Sequence, residues 1–588
     1  MSKDHYTIGF SFAFGHGTSG VVLRNGHVVA AANLERILGI KYAWLCNIDL
    51  ADDVFRDIAS KTPQREPWPI QTYFQRLVDY LLETAGIGWS DVDLVAYDLY
   101  SCATTPYRKE DPGKNEYLDD FFRGKTVVRV DHHTGHQAQA FYPSPFDEAA
   151  VLTIDGASYA NHARLGGRPL SSTIGFGKDK KIEVLMENIG AGISGKEYMR
   201  TTAHIGFGLN EDGKTMGLAP YGGPSVYDRV RTSWKWRLNP FYRRQHTIRP
   251  EFDFSRDNFN RLSKAIRDSH GGQYMSTPCQ DLAWAVQKRC EERVLRAAQA
   301  AWDLTKCKNL VYAGGVALNS VANRKILQET PFENIFIYPN AGDCGLATGY
   351  ALWAYHQATD GANEYVCRHD YLGKVYPSSD AENALARVAD KVSVTRMPRK
   401  GEPGASPGHT LEEEIAQRMI DGSIVGWYQG GAEFGPRALG HRSILCDCRR
   451  PDHKDVLNAR VKHREPYRPF APVVKRTHIA EYFDLDCDAP FMLLVPDVLP
   501  SKRDVIPSVT HVDGTGRVQT VTEEDNGAYY HLIDAFHRKT GVPVILNTSF
   551  NIAGKPIVET PDDAVECFLW TDIDLLVLED RIVEKKKP

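Results

Sequence analysis

The sequence predicts an α/β protein of two domains, and three observations carry that reading. A chain of 588 residues exceeds the roughly 250 to 300 at which a single hydrophobic core stops growing. Short strands leading into glycine turns alternate with amphipathic helices along most of its length. A stretch rich in proline, glycine and serine, with GKVYPSSD and then MPRKGEPGASPGHT, interrupts that alternation. These divide the chain into a domain over 1–370, a linker over 371–411 and a smaller domain over 412–588.

The elements follow in order. YTIGFSFAFG reads as a strand and HGTSG as its turn; Asn25-Gly26, between VVLR and HVVAAAN, marks a hairpin. IQTYFQRLVDYLLETAG has helical periodicity closed by Gly86, and DLVAYDL is a strand. TVVRV, a helix-like DHHTGHQAQAFYPSPF and the strand AAVLTIDG repeat the alternation. TPCQDLAWAVQKRCEERVLRAAQAAWDLT reads as one long helix before the buried-type strand NLVYAGGV. Beyond the linker come the strand SIVGWYQGG, a helix after PRALG, and a closing unit of GVPVILNTSFN, PDDAVECFLW and DLLVLE. No internal repeat stands out.

Composition removes several functions. Hydrophobic residues at 42% and charged residues at 25% are globular values. A net charge of -5 supplies no positive field for a phosphodiester backbone, which argues against a nucleic-acid partner. The 11 cysteines show no CxxC pairing, so neither structural zinc nor a disulfide framework is expected. No apolar run approaches the roughly 20 residues of a membrane span, and the expectation is a soluble cytoplasmic protein without membrane contact.

Three constellations carry chemistry. His132 and His136 lie one helical turn apart, while Asp155 ends a strand and Asp343 sits in the turn NAGDCGLATG. Imidazole with carboxylate suits iron or zinc. AGGVALNSVAN puts Gly314 and Gly315 between a strand and a helix, and NEDGKTMGLAPYG supplies a second glycine-bearing turn with Lys214; both are places where backbone amides cradle a nucleotide. EFGPRALGHRS, VKHREPYRPFAP, HVDGTGRVQTV and VILNTSFN bring Arg437, Arg442, Lys462, Arg464, Arg468, Arg517, Asn547 and Ser549, a set suited to a phosphate bearing a small amide-like group.

Together with GHGTSGVVLRNG, ERILGIK and LNTSFNIAGKPIVETPDDA, these motifs resemble, in order and over nearly the whole chain, the carbamoyltransferases of nodulation-factor and antibiotic biosynthesis. The resemblance implies an N-terminal domain of the actin-like ATPase superfamily, similar to the universal tRNA-threonylcarbamoyl transfer enzyme, and a C-terminal YrdC-like α/β domain that forms an adenylate. It implies a cytoplasmic O-carbamoyltransferase that makes carbamoyl-adenylate from carbamoyl phosphate and ATP and passes the carbamoyl group to a hydroxylated small molecule.

By the family pattern His132, His136, Asp155 and Asp343 hold Fe2+ or another divalent metal, and ATP enters with Mg2+. His16, Lys41, Arg437 and Lys462 are the expected catalytic residues, with His16 as the base that takes the hydroxyl proton. Arg468, Arg517, Asn547 and Ser549 bind carbamoyl phosphate and ATP, and Lys214, Gly314, Gly315 and Asn319 bind nucleotide. A homodimer is compatible with the family.

The chain departs from the family at Tyr42, where histidine is frequent, and in GHQAQAF, where small residues usually follow the first histidine. Rival readings are a tRNA threonylcarbamoyl transferase and a catalytically silent nucleotide-binding protein; the acidic balance weighs against the first, and pyrophosphate exchange separates the second.

Overall fold

The computed structural model describes residues 4–13, 17–46, 68–98, 116–158, 170–189, 193–208, 210–231, 254–359 and 364–586. The chain divides into two compact units: 1–28, 44–75 and 89–366 form the first, and 29–43, 76–88 and 367–588 the second. The second unit thus takes two early segments as well as the C-terminal third.

Two five-stranded sheets of the same order lie in the first unit, apart from residues 29–33 of the outer strand of one, which are grouped with the second. In one, strands β1 (Tyr6–Ala13), β2 (Gly17–Arg24) and β3 (His27–Asn33) precede the two-residue pair β4 (Leu45–Cys46) and β5 (Trp68–Pro69), then β6 (Val92–Asp98) and β7 (Thr126–Val130). Its order is β3-β2-β1-β6-β7. In the other, β8 (Glu148–Ser158), β9 (Leu170–Lys178), β10 (Lys181–Ile189), β11 (Asn309–Ala313) and β12 (Asn334–Ile337) take the order β10-β9-β8-β11-β12. Each central strand pairs antiparallel with the strand after it and parallel with a later one. This duplicated mixed topology is the actin-like architecture the resemblance implies. The predicted hairpin is present, with Asn25 and Gly26 both at positive φ.

Two helices follow the last strands of these sheets, His132–Phe141 and Leu346–Ala358. They cross where both are glycine: a Cβ on Gly349 would lie 2.0 Å from the carbonyl oxygen of Gly135. Closeness there aligns the start of the first helix with the turn that opens the second. Leu94, Ala96, Val130, Leu346, Tyr350 and Ala354 form a buried cluster beneath the crossing.

The second unit is built on one eight-stranded mixed sheet. Its strands are β13 (Val392–Arg396), β14 (Val425–Tyr428), β15 (Arg442–Cys446), β16 (Ala471–Lys475), β17 (Gln519–Val521), β18 (Val544–Ser549), β19 (Leu575–Leu578) and β20 (Arg581–Lys585). They lie in the order β13-β20-β19-β14-β15-β18-β16-β17. Helices Leu411–Ile420, Gly527–Thr540 and Pro561–Trp570 accompany it, the last with a complete capping box between Thr560 and Asp563.

Three expectations are corrected. The region 371–411, expected as a linker, carries a helix at Ser378–Ala386 and the edge strand β13, antiparallel to β20. No helix follows PRALG: Gly440 at φ 112° turns the chain directly into β15, whose Arg442 is completely buried. NEDGKTMGL is the short helix Asp212–Leu218, so its glycines are not a phosphate turn.

Candidate functional site

In the first unit Asp131 caps the helix His132–Phe141, accepting from the backbone N–H groups of His133 and Thr134, and this fixes the direction of the first turn. His132 and His136 project from one face of that turn. Asp155 comes from β8, where its Oδ1 accepts from Gly315 N at 3.0 Å. Asp343 opens the turn before the Leu346–Ala358 helix, and its carbonyl accepts from Ser11 Oγ at 2.8 Å.

The four expected metal ligands converge, with one donor atom from each lying within 4.8 Å of the others. His132 Nε2 is 3.2 Å from Asp155 Oδ2 and 3.8 Å from Asp343 Oδ1, and His136 Nε2 is 3.3 Å from Asp343 Oδ1. Two nitrogens and two carboxylates match the donor preference of iron or zinc. His136 Nε2 is fully buried and has no hydrogen-bond partner, a costly arrangement that a bound cation would satisfy.

Burial opposes charge on His132, but Asp343, Asp155 and Asp98 outweigh it and hold the imidazole well above its usual range. His133, between the two ligands, points elsewhere: its Nδ1 lies 2.9 Å from Thr153 Oγ1 and its Nε2 3.2 Å from the Leu170 carbonyl. Burial and its histidine neighbours push it down to about 3.

Of the expected nucleotide residues, Gly314, Gly315 and Asn319 share the turn after β11. Gly314 has φ 100°, and a Cβ there would lie 2.2 Å from the Ile154 carbonyl oxygen. The turn therefore packs directly on the strand that delivers Asp155. Asn319 caps the helix Ser320–Glu329 and donates to Gln287 Oε1 at 2.9 Å. Lys214 stands on the Asp212–Leu218 helix, paired with Glu211 at 2.8 Å. His16 lies outside the described residues.

The second unit gathers the expected cations. Lys462 ends a wide helical turn over Leu457–Lys462, closed by His463 at φ 44°. Its Nζ donates to Asn551 Oδ1 at 2.8 Å, Asn551 O at 3.0 Å, Ser549 Oγ at 3.3 Å and the Ser549 carbonyl. Asn547 donates to the Ala438 carbonyl at 3.0 Å and to Gln519 at 3.3 Å, which ties β18 to the loop carrying Arg437.

Burial lowers Arg437 to about 10, with Arg468 as the next cause, and lowers Arg464 to about 9, again with Arg468 next. Arg517 is held well below its usual range by burial and then by Arg437, Arg464 and Arg468. Lys462 is depressed by burial, Arg464, Arg468 and Lys41. Arg468 acts on all four, so these groups share one positive field. A carboxylate, Glu465, stands 3.6 Å from Arg468, and Arg437 Nε is buried without a partner. Concentrated positive charge under partial burial is the electrostatic form of an anion site.

Arg442, grouped with these residues from sequence, does not join them. It lies over the Tyr428 ring and donates to the carbonyls of Gln429, Gly430, His441 and Glu559, so it braces the sheet. Sequence reasoning missed Asn551, which receives Lys462, and Asp98, whose Oδ2 is 4.0 Å from His132 Nδ1. Asn551 lies two residues beyond Ser549, in a motif already singled out; Asp98 ends a predicted strand, the position that identified Asp155.

Comparison with known proteins agrees with this division. Residues 107–352 match the model of the carbamoyltransferase N-terminus and residues 416–585 that of the carbamoyltransferase C-terminus. The chain is 32% identical over 611 aligned positions to the nodulation protein NolNO of Sinorhizobium fredii, covering 100% of this chain and 82% of that protein. It is 34% identical to the nodulation protein NolO of Bradyrhizobium diazoefficiens, over 78% of this chain and 79% of that one. It is 29% identical to a 3'-hydroxymethylcephem-O-carbamoyltransferase of Streptomyces clavuligerus, over 63% of this chain and 64% of that one. With both family domains matched in order, and with full-length similarity above 30%, this chain belongs to the carbamoyltransferase family and is a transferase enzyme.

Proposed function

We propose that the chain is an ATP-dependent O-carbamoyltransferase whose second unit activates the donor and whose first unit carries out transfer to a hydroxyl of a small-molecule natural product. The observation that carries this reading is the cationic cluster of Arg437, Lys462, Arg464, Arg468 and Arg517, which is suited to several phosphate charges at once. Carbamoyl phosphate is a poor donor to a neutral alcohol, and a mixed anhydride with AMP supplies a better leaving group. In a balanced sequence, carbamoyl phosphate loses phosphate to water. The carbamate oxygen then attacks the α-phosphorus of ATP and pyrophosphate leaves.

In this scheme the arginines stabilise charge developing on the phosphates. The role assigned to Lys462, held by Ser549 and Asn551 and depressed by burial and its cationic neighbours, is to stabilise charge at the departing oxygens. Lys41 adds to the same positive field. The acceptor oxygen finally attacks the carbamoyl carbon, AMP leaves, and the hydroxyl proton passes to a base, the role assigned to His16.

In the first unit His132, His136, Asp155 and Asp343 would hold a divalent cation, Fe2+ by the family pattern, which orients and polarises the anhydride when bound. Gly314, Gly315 and Asn319 form the backbone turn beside Asp155 where the nucleotide portion would rest. ATP enters with Mg2+. Among the described residues no helix is long and apolar enough to cross a membrane.

The test is exchange of labelled pyrophosphate into ATP by the full-length protein. Exchange that depends on carbamoyl phosphate is expected; its absence in folded, metal-supplied protein would remove the adenylate from the scheme.

A further inference from the structure

We propose that Gln139 is a positioning residue for the metal centre: it holds His136 in the tautomer that offers Nε2 to the ion and ties that histidine's helix to the turn bearing Asp343. The inference rests on the metal reading above and adds a residue to it. Gln139 is fully buried on the His132–Phe141 helix, three residues beyond His136 and on the same face. Its amide nitrogen donates to the carbonyls of Asn340 and of Gly342, the latter at 3.3 Å.

A carbonyl oxygen only accepts, so the amide cannot be turned the other way without setting oxygen against oxygen twice. The side-chain oxygen therefore faces His136 Nδ1, at 2.8 Å. An amide oxygen also only accepts, so Nδ1 carries the proton and Nε2 keeps its lone pair. That nitrogen is the buried atom left without a hydrogen bond, 3.3 Å from Asp343 Oδ1.

The same amide fixes the other side of the centre. Gly342 is adjacent to Asp343 and Asn340 lies three residues before it, so the two donated bonds hold the backbone from which that carboxylate projects. The fit leaves no space for a side chain at Gly345: a Cβ there would lie 2.3 Å from Gln139 Nε2 and 1.8 Å from the Asn340 carbonyl oxygen. His132 has a different neighbour, the Asp98 carboxylate, at 4.0 Å from its Nδ1. One candidate ligand histidine thus has a carboxylate nearby, while the other is held by a neutral amide.

The test uses the full-length protein stripped of metal and titrated with Co2+, read by visible absorption in competition with a chelator. Gln139→Met, which removes the acceptor and both donors at similar volume, is expected to weaken Co2+ binding by about 10- to 100-fold, the usual cost of losing an outer-shell partner. Gln137→Met is the control: Gln137 is buried on the same helix but donates to Thr173 Oγ1, at 2.8 Å, and its loss should leave affinity within about twofold.

Gln139→Asn, too short to span from His136 to Asn340, is expected to show a similar loss and serves if the methionine variant does not fold. Wild-type affinity in a folded Gln139 variant, or an equal loss in Gln137→Met, would overturn the proposal. Failure of the unaltered protein to take up Co2+ would instead overturn the metal reading on which it rests.

Discussion

Replacing Asp370 by asparagine should change how the stability of the second unit depends on pH. Asp370 is buried, its Oδ2 accepts from Gly435 N at 2.6 Å, and Gly435 lies two residues before Arg437. Burial, followed by the nearby Glu433, lifts this carboxyl to about 8, against the opposing pull of the Gly435 N–H and Arg36. In the unfolded chain the same group titrates at ~3.9. Between those values the folded state holds a proton that the unfolded state has lost, so raising pH destabilises the fold by up to ~1.4 kcal/mol per unit.

From pH 5 to pH 8 the effect sums to about 4 kcal/mol as an order of magnitude. The asparagine amide can still accept from Gly435 N but cannot ionise, so Asp370→Asn should escape the penalty. The variant's melting temperature relative to wild type should therefore rise by roughly 10 °C between pH 5 and pH 8, taking 2 to 4 °C per kcal/mol for a domain of this size. Scanning calorimetry of both proteins at several pH values reads this directly. A difference in melting temperature that stays constant over that range, or falls, would refute the reasoning.

Three other outcomes are expected. Arg517→Ala, which removes one guanidinium from the cationic cluster, should lower carbamoyl phosphate-dependent exchange by roughly 10- to 100-fold, as loss of a charge-assisted contact worth about 1.5 to 3 kcal/mol implies. The effect should appear mainly in KM at saturating ATP. Gly314→Ala places a Cβ 2.2 Å from the Ile154 carbonyl oxygen at φ 100°, and should destabilise the first unit by about 3 kcal/mol or more, measured by thermal unfolding. Chelation followed by return of Mg2+ alone should abolish carbamoyl transfer while leaving pyrophosphate exchange intact, assayed side by side.

The four candidate ligands were legible as a set because each sits where sequence patterns are strongest: two histidines at helical spacing after a capping aspartate, one aspartate before a glycine near the end of a strand and one at a glycine turn into a helix. The cluster of cations was legible as a set, but which of them meet was not. Arg442 shares a motif with Arg437, yet carbonyls of its own loop and strand neighbours claim it. PRALG looked like a helix start because proline favours a first turn, whereas Gly440 at positive φ and the run RSILC favour a turn into a strand.

The duplicated sheet order escaped notice because topology repeats without a repeated sequence period. The segment 371–411 looked like a linker by composition, but VSVTR pairs along its whole length with β20. The grouping of 29–43 and 76–88 with the second unit depends on contacts far apart in the chain. One is Asn33 Nδ2 donating to the Phe434 carbonyl at 2.6 Å. His16 lies outside the described residues, and its role rests on the family resemblance.

Donor activation and carbamoyl transfer are most directly separated in the Asp155→Asn variant, mixed with carbamoyl phosphate, ATP, Mg2+ and a hydroxylated small-molecule acceptor that the unaltered protein carbamoylates, and quenched on a millisecond-to-second scale for mass spectrometry. Build-up of carbamoyl-adenylate with pyrophosphate, and no carbamoylated acceptor, is the predicted result. Formation of ADP in place of AMP and pyrophosphate, or normal product without a detectable adenylate, would contradict it.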